Sequence, residues 1–152
     1  MEIKDSGNRQ EFPTGAVRDI QKGKGRPSLM PLMVVAQLLD ERLGGDTVLQ
    51  EIAYFAERGK TISLYHSLAR FGVTAFGDIE TMILETSKHF EAGALKYGEN
   101  NWQKGIPVNC YLDSAIRHYL KWRRGDKDEP HDRAFCWNIM CCIWEVDYHD
   151  PN

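Results

Sequence analysis

An all-α bundle of about six helices, preceded by a Gly-rich basic N-terminal arm, is the fold this sequence predicts. Three observations carry that prediction. No stretch alternates apolar and polar residues with period two for long enough to build a sheet. From Ser28 onward the chain reads as helix-length stretches separated by glycines. The 152 residues are 42% hydrophobic and 27% charged, enough for one packed core.

Residues 1–27 carry Gly7, Gly15, Gly23, Gly25, Pro13 and Pro27 without hydrophobic periodicity, which reads as an arm or long loop. Residues 28–152 form the helical domain, and the glycines near residues 72–77 allow a subdivision there. A first helix is expected over about Pro31 to Leu43, with Pro31 in its first turn and Gly44-Gly45 ending it. Thr47-x-x-Gln50 is a capping-box pattern and opens a second helix that stops at Gly59. A third covers about Ser63 to Phe71 and stops at Gly72. Asp78 is a suitable N-cap for a fourth that reaches Gly98. The fifth follows Asn109 and ends at Gly125, and the sixth runs from near Pro130 to about Asp147, ahead of Pro151.

The formal net charge of −3 argues against a general DNA or RNA binder, but it leaves room for one small anion. No run of eighteen apolar residues exists to span a membrane. Met1 to Gln10 is polar and mixed in charge, unlike a signal or transit peptide. Cys136, Cys141 and Cys142 share one apolar stretch, Cys110 lies alone, and no CxxC pair occurs. Buried reduced thiols are therefore expected, rather than a disulfide framework or a zinc knuckle. Positive charge is concentrated in two blocks, Arg18 to Arg26 and Arg117 to Arg124, while a short acidic cluster runs from Asp126 to Asp132.

Several polar groups stand out against this frame. Glu85, His89 and Lys96 follow at helical spacing and share one side of the fourth helix. They form a solvated face with an i,i+4 Glu–His contact, or they turn a carboxylate and an imidazole toward a ligand or metal. The stretch from Lys96 and Tyr97 to Asn101 and Trp102 joins a cation, amides and aromatics. Aromatic faces stack on a base and amides read its edge; the plainer account is a Gly-capped helix end with Trp102 plugging the core. On the fifth helix Asp113 and Arg117 lie one turn apart, as an internal ion pair would. Lys121, Arg123 and Arg124 complement the helix dipole, which leaves Arg117 and His118 as the candidates there.

The sixth helix is apolar nearly all round from Ala134 to Trp144, with Asn138 inside the run. His131, Asn138 and Glu145 recur every seven residues as one polar line. A buried Asn needs hydrogen-bond partners, so the line ties helices together or faces a polar cavity. His131-Asp132 is superficially similar to the pair of metal-dependent histidine-aspartate phosphohydrolases, although Asp132 also suits the first turn of a helix. In the arm, Arg18 and Gly23-Lys24-Gly25-Arg26 offer guanidinium and backbone N–H donors for an anion, without Walker A spacing. The plainer account is a flexible basic arm.

Four blocks carry a family resemblance: TGAVRDIQKGKGR, HFEAGALKYGENNWQKGIP, YLDSAIRHYLKWRRGD and EPHDRAFCWN. They span about Thr14 to Asn138, around a less familiar helical insert from Met33 to Gly77. With them the chain resembles phage-encoded proteins of the dATP/dGTP diphosphohydrolase family, named through its N-terminal domain. The resemblance implies a phage protein in the cytoplasm of the infected bacterial host that acts on purine deoxynucleotides. The family's reaction releases diphosphate from a dNTP. MazG-like pyrophosphohydrolases are similar in task and hold magnesium with helix carboxylates. This chain has no ExxE…ExxD pair of motifs, so a carboxylate-only magnesium cage cannot be mapped onto it.

Two functional readings follow. In a pyrophosphohydrolase, Arg18, Lys24, Arg26 and Arg117 would neutralise the triphosphate. Glu85, His89, His118 and His131 would supply the catalytic groups, with Glu85, His89 and His131 as ligands of Mg2+ or Mn2+. Lys96, Tyr97, Asn101, Trp102, Asp113 and Asn138 would complete the ligand pocket. In the alternative, the same pocket sequesters a nucleotide immune signal to counter bacterial defence, and no cofactor is needed. A structural protein whose polar lines only fix helix register is the plainest reading. The expected partner is a purine nucleotide, with no nucleic-acid polymer and no membrane, and a homodimer or higher assembly is expected to complete the core.

Overall fold

The computed structural model describes residues 6–149. Sequence readings that touch residues 1–5 and Pro151 lie outside them. Six α-helices carry the fold: α1 (Leu32–Leu39), α2 (Thr47–Arg58), α3 (Ile62–Phe76), α4 (Ile79–Tyr97), α5 (Val108–Arg124) and α6 (His131–Asp147). The expected helical bundle is therefore present, with one addition. In the arm, β1 (Arg9–Glu11) and β2 (Val17–Asp19) pair antiparallel, Gln10 opposite Arg18. Three residues per strand are too few for a period-two pattern to show.

Local capping explains most helix limits. Asp78 caps α4 as expected, accepting the Thr81 N–H at 2.6 Å. The cap of α2 is Asp46 rather than Thr47: its carboxylate accepts the Leu49 N–H at 3.0 Å, and Gln50 donates instead to the Gly44 carbonyl. Gly59 and Gly125 end α2 and α5 with φ of +73° and +90°, a region that favours glycine. Gly72 does not end α3. It sits inside the helix, where its bare backbone admits Met82 of α4; a Cβ there would stand 3.1 Å from that side chain.

The helix α6 packs against α5, α4 and α3, while α2 joins α1 to α3. Phe71 stands at the centre, its ring 4.5 Å from Phe135 and 4.8 Å from Trp122. The apolar run of α6 is buried as expected, Cys136, Cys141 and Cys142 included. All four cysteines are free, and burial pushes the Cys136 and Cys142 thiols up to about 12, which keeps them unreactive at neutral pH. On α1, Leu32 and Ala36 turn inward while Val34 and Leu38 stay exposed. No helix among the described residues is long and apolar enough to cross a membrane.

Candidate functional site

A cleft of about 1350 Å³ is lined by α4, α5, α6 and the arm. Helical spacing explains the lining. His89, Gly93, Lys96 and Tyr97 form one stripe of α4; Ser114, Arg117, His118 and Lys121 form one stripe of α5. Trp137 and Asn138 come from α6, and Asp128 and Glu129 from the loop before it. The cations Arg18, Lys24, Lys96, Arg117, Lys121 and Arg124 outnumber the acids Asp19, Asp128 and Glu129. A chain with a net charge of −3 thus presents a local positive field here.

The arm end of the cleft is built around Arg18. Alternation along β2 turns its side chain inward, so the residue is only 9% exposed. Its guanidinium lies 5.4 Å over the Tyr111 ring and donates from Nη2 to Asn138 Oδ1 at 3.2 Å. Nη1 is buried without a hydrogen-bond partner among the described residues. Asn138 is held in turn by donating to the Ala134 carbonyl at 2.8 Å. Arg117 donates to the Gly25 carbonyl at 2.6 Å and to Gln21. Burial, then the neighbouring Arg18 charge, pull its pKa below the usual arginine range.

The expected Asp113–Arg117 pair is replaced by longer-range bonds. Arg26 Nε donates to Asp113 at 3.0 Å, and the Ser28 N–H and hydroxyl donate to the other carboxylate oxygen. Burial works against ionising Asp113, but the Ser28 and Arg26 bonds outweigh it and hold the carboxyl below its ordinary value. Asp113 and Arg26 thereby fasten the arm to α5 rather than line the cleft.

The other end is a corner of histidines and carboxylates. His118 Nδ1 and His131 Nδ1 are 2.9 Å apart, and His131 Nε2 is 2.8 Å from Asp128 Oδ1. A carboxylate can only accept, so His131 gives its Nε2–H to Asp128 and turns its Nδ1 edge toward His118. Burial, and next the His131 ring, lower the His118 pKa well below its usual value, so the His118 imidazole is neutral. Glu129 is 9% exposed, and its carboxylate has no hydrogen-bond or ion-pair partner among the described residues. A nitrogen of each ring and one Glu129 oxygen lie within 4.8 Å of one another, a spacing one ion can close.

The remaining expected residues divide. His89 is buried in the cleft wall; burial, with Arg133 and Lys96 after it, lowers its pKa to about 4, and its Nδ1 has no partner among the described residues. Asn101 lines the cleft but clamps the arm, accepting the Val17 N–H at 2.8 Å and donating to the Val17 carbonyl at 2.7 Å. Glu85 accepts from Lys88 at 2.9 Å and does not line the cleft, so Glu85, His89 and His131 are not brought together. A lysine one turn along the helix captures the carboxylate. Trp102 packs edge-on to Phe90 and Trp144 and plugs the core. The polar line of α6 splits among three tasks, with Glu145 accepting the Ile106 N–H at 2.8 Å. Asp132 stands outside both histidine–carboxylate groups.

Sequence reasoning missed Lys121, Trp137, Asp128 and Glu129 as site residues. Lys121 was findable, since it follows Arg117 and His118 on one stripe of α5. Glu129 stands two residues before His131, but its lack of an ion-pair partner among the described residues is a tertiary property.

Fold and cleft define a small helical protein with a cleft lined by more cations than acids. The chain belongs to the dATP/dGTP diphosphohydrolase, N-terminal family, whose model matches residues 73–150. That span holds α4, α5, α6 and the histidine–carboxylate corner, while the arm lies outside it. No curated protein and no solved structure matches the chain.

Proposed function

We propose that the cleft binds a purine deoxynucleoside triphosphate and cleaves it to the monophosphate and diphosphate. The observation that carries this reading is the meeting, in one cleft, of the Arg18–Arg117 end, the aromatic faces of Tyr97 and Trp137, and the His118–His131–Glu129 corner. Among the described residues Arg18 has an unpartnered buried N–H group and no ion-pair carboxylate, and a phosphate oxygen would supply both acceptor and counter-charge. Tyr97 and Trp137 line the cleft as aromatic surface for a base, with the Arg9 guanidinium over one face of Tyr97 at 4.9 Å.

In the reaction, water attacks the α-phosphorus. The bond from that phosphorus to the bridging oxygen breaks, and diphosphate leaves with the electron pair. The water's proton passes to the Glu129 carboxylate, whose second oxygen remains an acceptor when the first holds an ion. Lys121 has no ion-pair partner among the described residues and is placed to stabilise charge on the phosphates. A divalent cation, when bound, supplies further neutralisation of the phosphate oxygens.

Incubation with dGTP or dATP and Mg2+ or Mn2+ is expected to yield diphosphate and the deoxynucleoside monophosphate in equal amounts. Absence of both products at high protein concentration overturns hydrolysis. Denaturing the protein after incubation and recovering intact nucleotide, one per chain, would replace hydrolysis with sequestration.

A further inference from the structure

We propose that His118, His131 and Glu129 form a three-ligand site for one divalent transition-metal ion of the Mn2+ to Zn2+ class, with the remaining coordination position open to the cleft. Three observations converge on it. The two ring nitrogens of the His–His contact are 2.9 Å apart, a separation that two ligands of one ion can have. The Glu129 oxygen lies within 4.8 Å of a nitrogen of each ring, so a small side-chain rotation closes the set. The Glu129 carboxylate is withdrawn from water at 9% exposure with no cation or N–H to compensate it among the described residues. A cleft-facing carboxylate with no partner among the described residues can take a metal ion as its counter-charge.

The donor set selects the class of ion. Mg2+ and Ca2+ favour oxygen ligands, whereas two imidazoles with one carboxylate suit Mn2+, Co2+ or Zn2+. Asp128 fits the role of the outer carboxylate. It fixes the Nε2–H of His131 and leaves Nδ1 as the ligating atom, a carboxylate–histidine–metal arrangement. The overlapping group of Asp126, Asp128 and His131 is a weaker candidate, because Arg124 holds both oxygens of Asp126 at 2.9 and 2.5 Å. His118 and Glu129 line the cleft, so a bound ion would face the ligand space rather than the core.

The test needs no nucleotide, so its failure and the failure of the hydrolysis reading are separate results. Chelator-treated full-length protein is titrated with Co2+ alone, followed by visible ligand-field absorption. One Co2+ per chain is expected, displaced by Zn2+ and not by a hundredfold excess of Mg2+. His118→Ala and Glu129→Gln are each expected to weaken binding by at least about tenfold, and Asp128→Asn by about 10- to 100-fold through His131. Glu85→Gln should leave the titration unchanged. Circular dichroism and thermal melts confirm the fold of each variant, and Glu129→Gln keeps the side-chain shape. Failure of the wild-type protein to bind Co2+ stoichiometrically overturns the site. So does wild-type affinity in both His118→Ala and Glu129→Gln, or displacement by Mg2+.

Discussion

Asp113, in the second turn of α5, and Glu129, just past the end of that helix, are both carboxylates withdrawn from water, at 4% and 9% exposure. Their surroundings differ completely. Asp113 receives three donors, from Arg26 in the arm and from the Ser28 N–H and hydroxyl just after it. Glu129 receives none among the described residues, although two imidazoles stand within reach. Satisfied buried groups fix a structure, whereas an uncompensated one marks a place where the fold tolerates instability. The Asp113 cluster, outside the cleft, is therefore built to hold the arm against α5, and the corner of the cleft to receive something.

The largest effect that tests this contrast is the stability of two substitutions. Asp113→Ala leaves the Ser28 donors without their acceptor and frees Arg26, whose side chain is 49% exposed and can rehydrate. The loss is expected to be about 3 kcal/mol. Glu129→Gln breaks no hydrogen bond or ion pair among the described residues and is expected to be neutral or stabilising in the metal-free protein. Urea unfolding of both variants reads the difference. Comparable losses at the two positions would break the comparison.

Acid is expected to act next in size, and on the corner side. Burial, followed by the Arg133 and Lys96 charges, sets the His89 pKa at about 4. For a base lowered in this way, the unfolded chain binds more protons between about pH 6.5 and pH 4. The stabilisation is whole above the unfolded value and is lost as pH falls toward the folded one. Roughly 2 kcal/mol should disappear between pH 7 and pH 5 from His89 alone. His118, lowered by burial and by His131, adds to it in the same direction. Asp113, held below its ordinary value, keeps the arm end paired across that window. Denaturant melts across the range should show this slope, and His89→Gln should flatten it. An unchanged slope in His89→Gln would remove His89 as its source.

The same contrast explains what could be read from sequence. Helix ends governed by local rules were legible: Asp78 caps α4, and Gly59 and Gly125 end α2 and α5. Gly72 misled, because its contact with Met82 is a tertiary fact. The arm ribbon was invisible, since its strands are three residues long and Asn101 clamps them from 84 positions away. Among site residues, Arg18, His118 and Asn138 were marked by type and spacing and do meet in or beside the cleft. Glu85 was marked by the same spacing and is taken by Lys88. Spacing gives the face of a helix, not the partner that a side chain finds. Glu129 stands out only in three dimensions, where its carboxylate meets two imidazoles and has no ion-pair partner among the described residues.

The smallest expected effect lies at Lys24, and it sharpens the comparison by separating a basic residue of the arm from the bonds that seat the arm. Lys24 lies 2.5 Å from Asp19, but its side chain is 37% exposed, and Asp19 also accepts from the Ser6 hydroxyl at 2.6 Å. An exposed pair gains little over its hydrated ions and loses side-chain entropy in forming. Lys24→Ala should therefore change stability by no more than about 0.5 kcal/mol. The seat of the arm is elsewhere, in the two Asn101 bonds to Val17, the Thr14 hydroxyl donating to the Gly105 carbonyl at 2.6 Å, and the Asp113 cluster. A urea melt of Lys24→Ala decides the matter. A loss above about 1.5 kcal/mol, well outside the range of an exposed ion pair, would mean that the arm is pinned at its charged turn and that Asp113 is not its principal anchor.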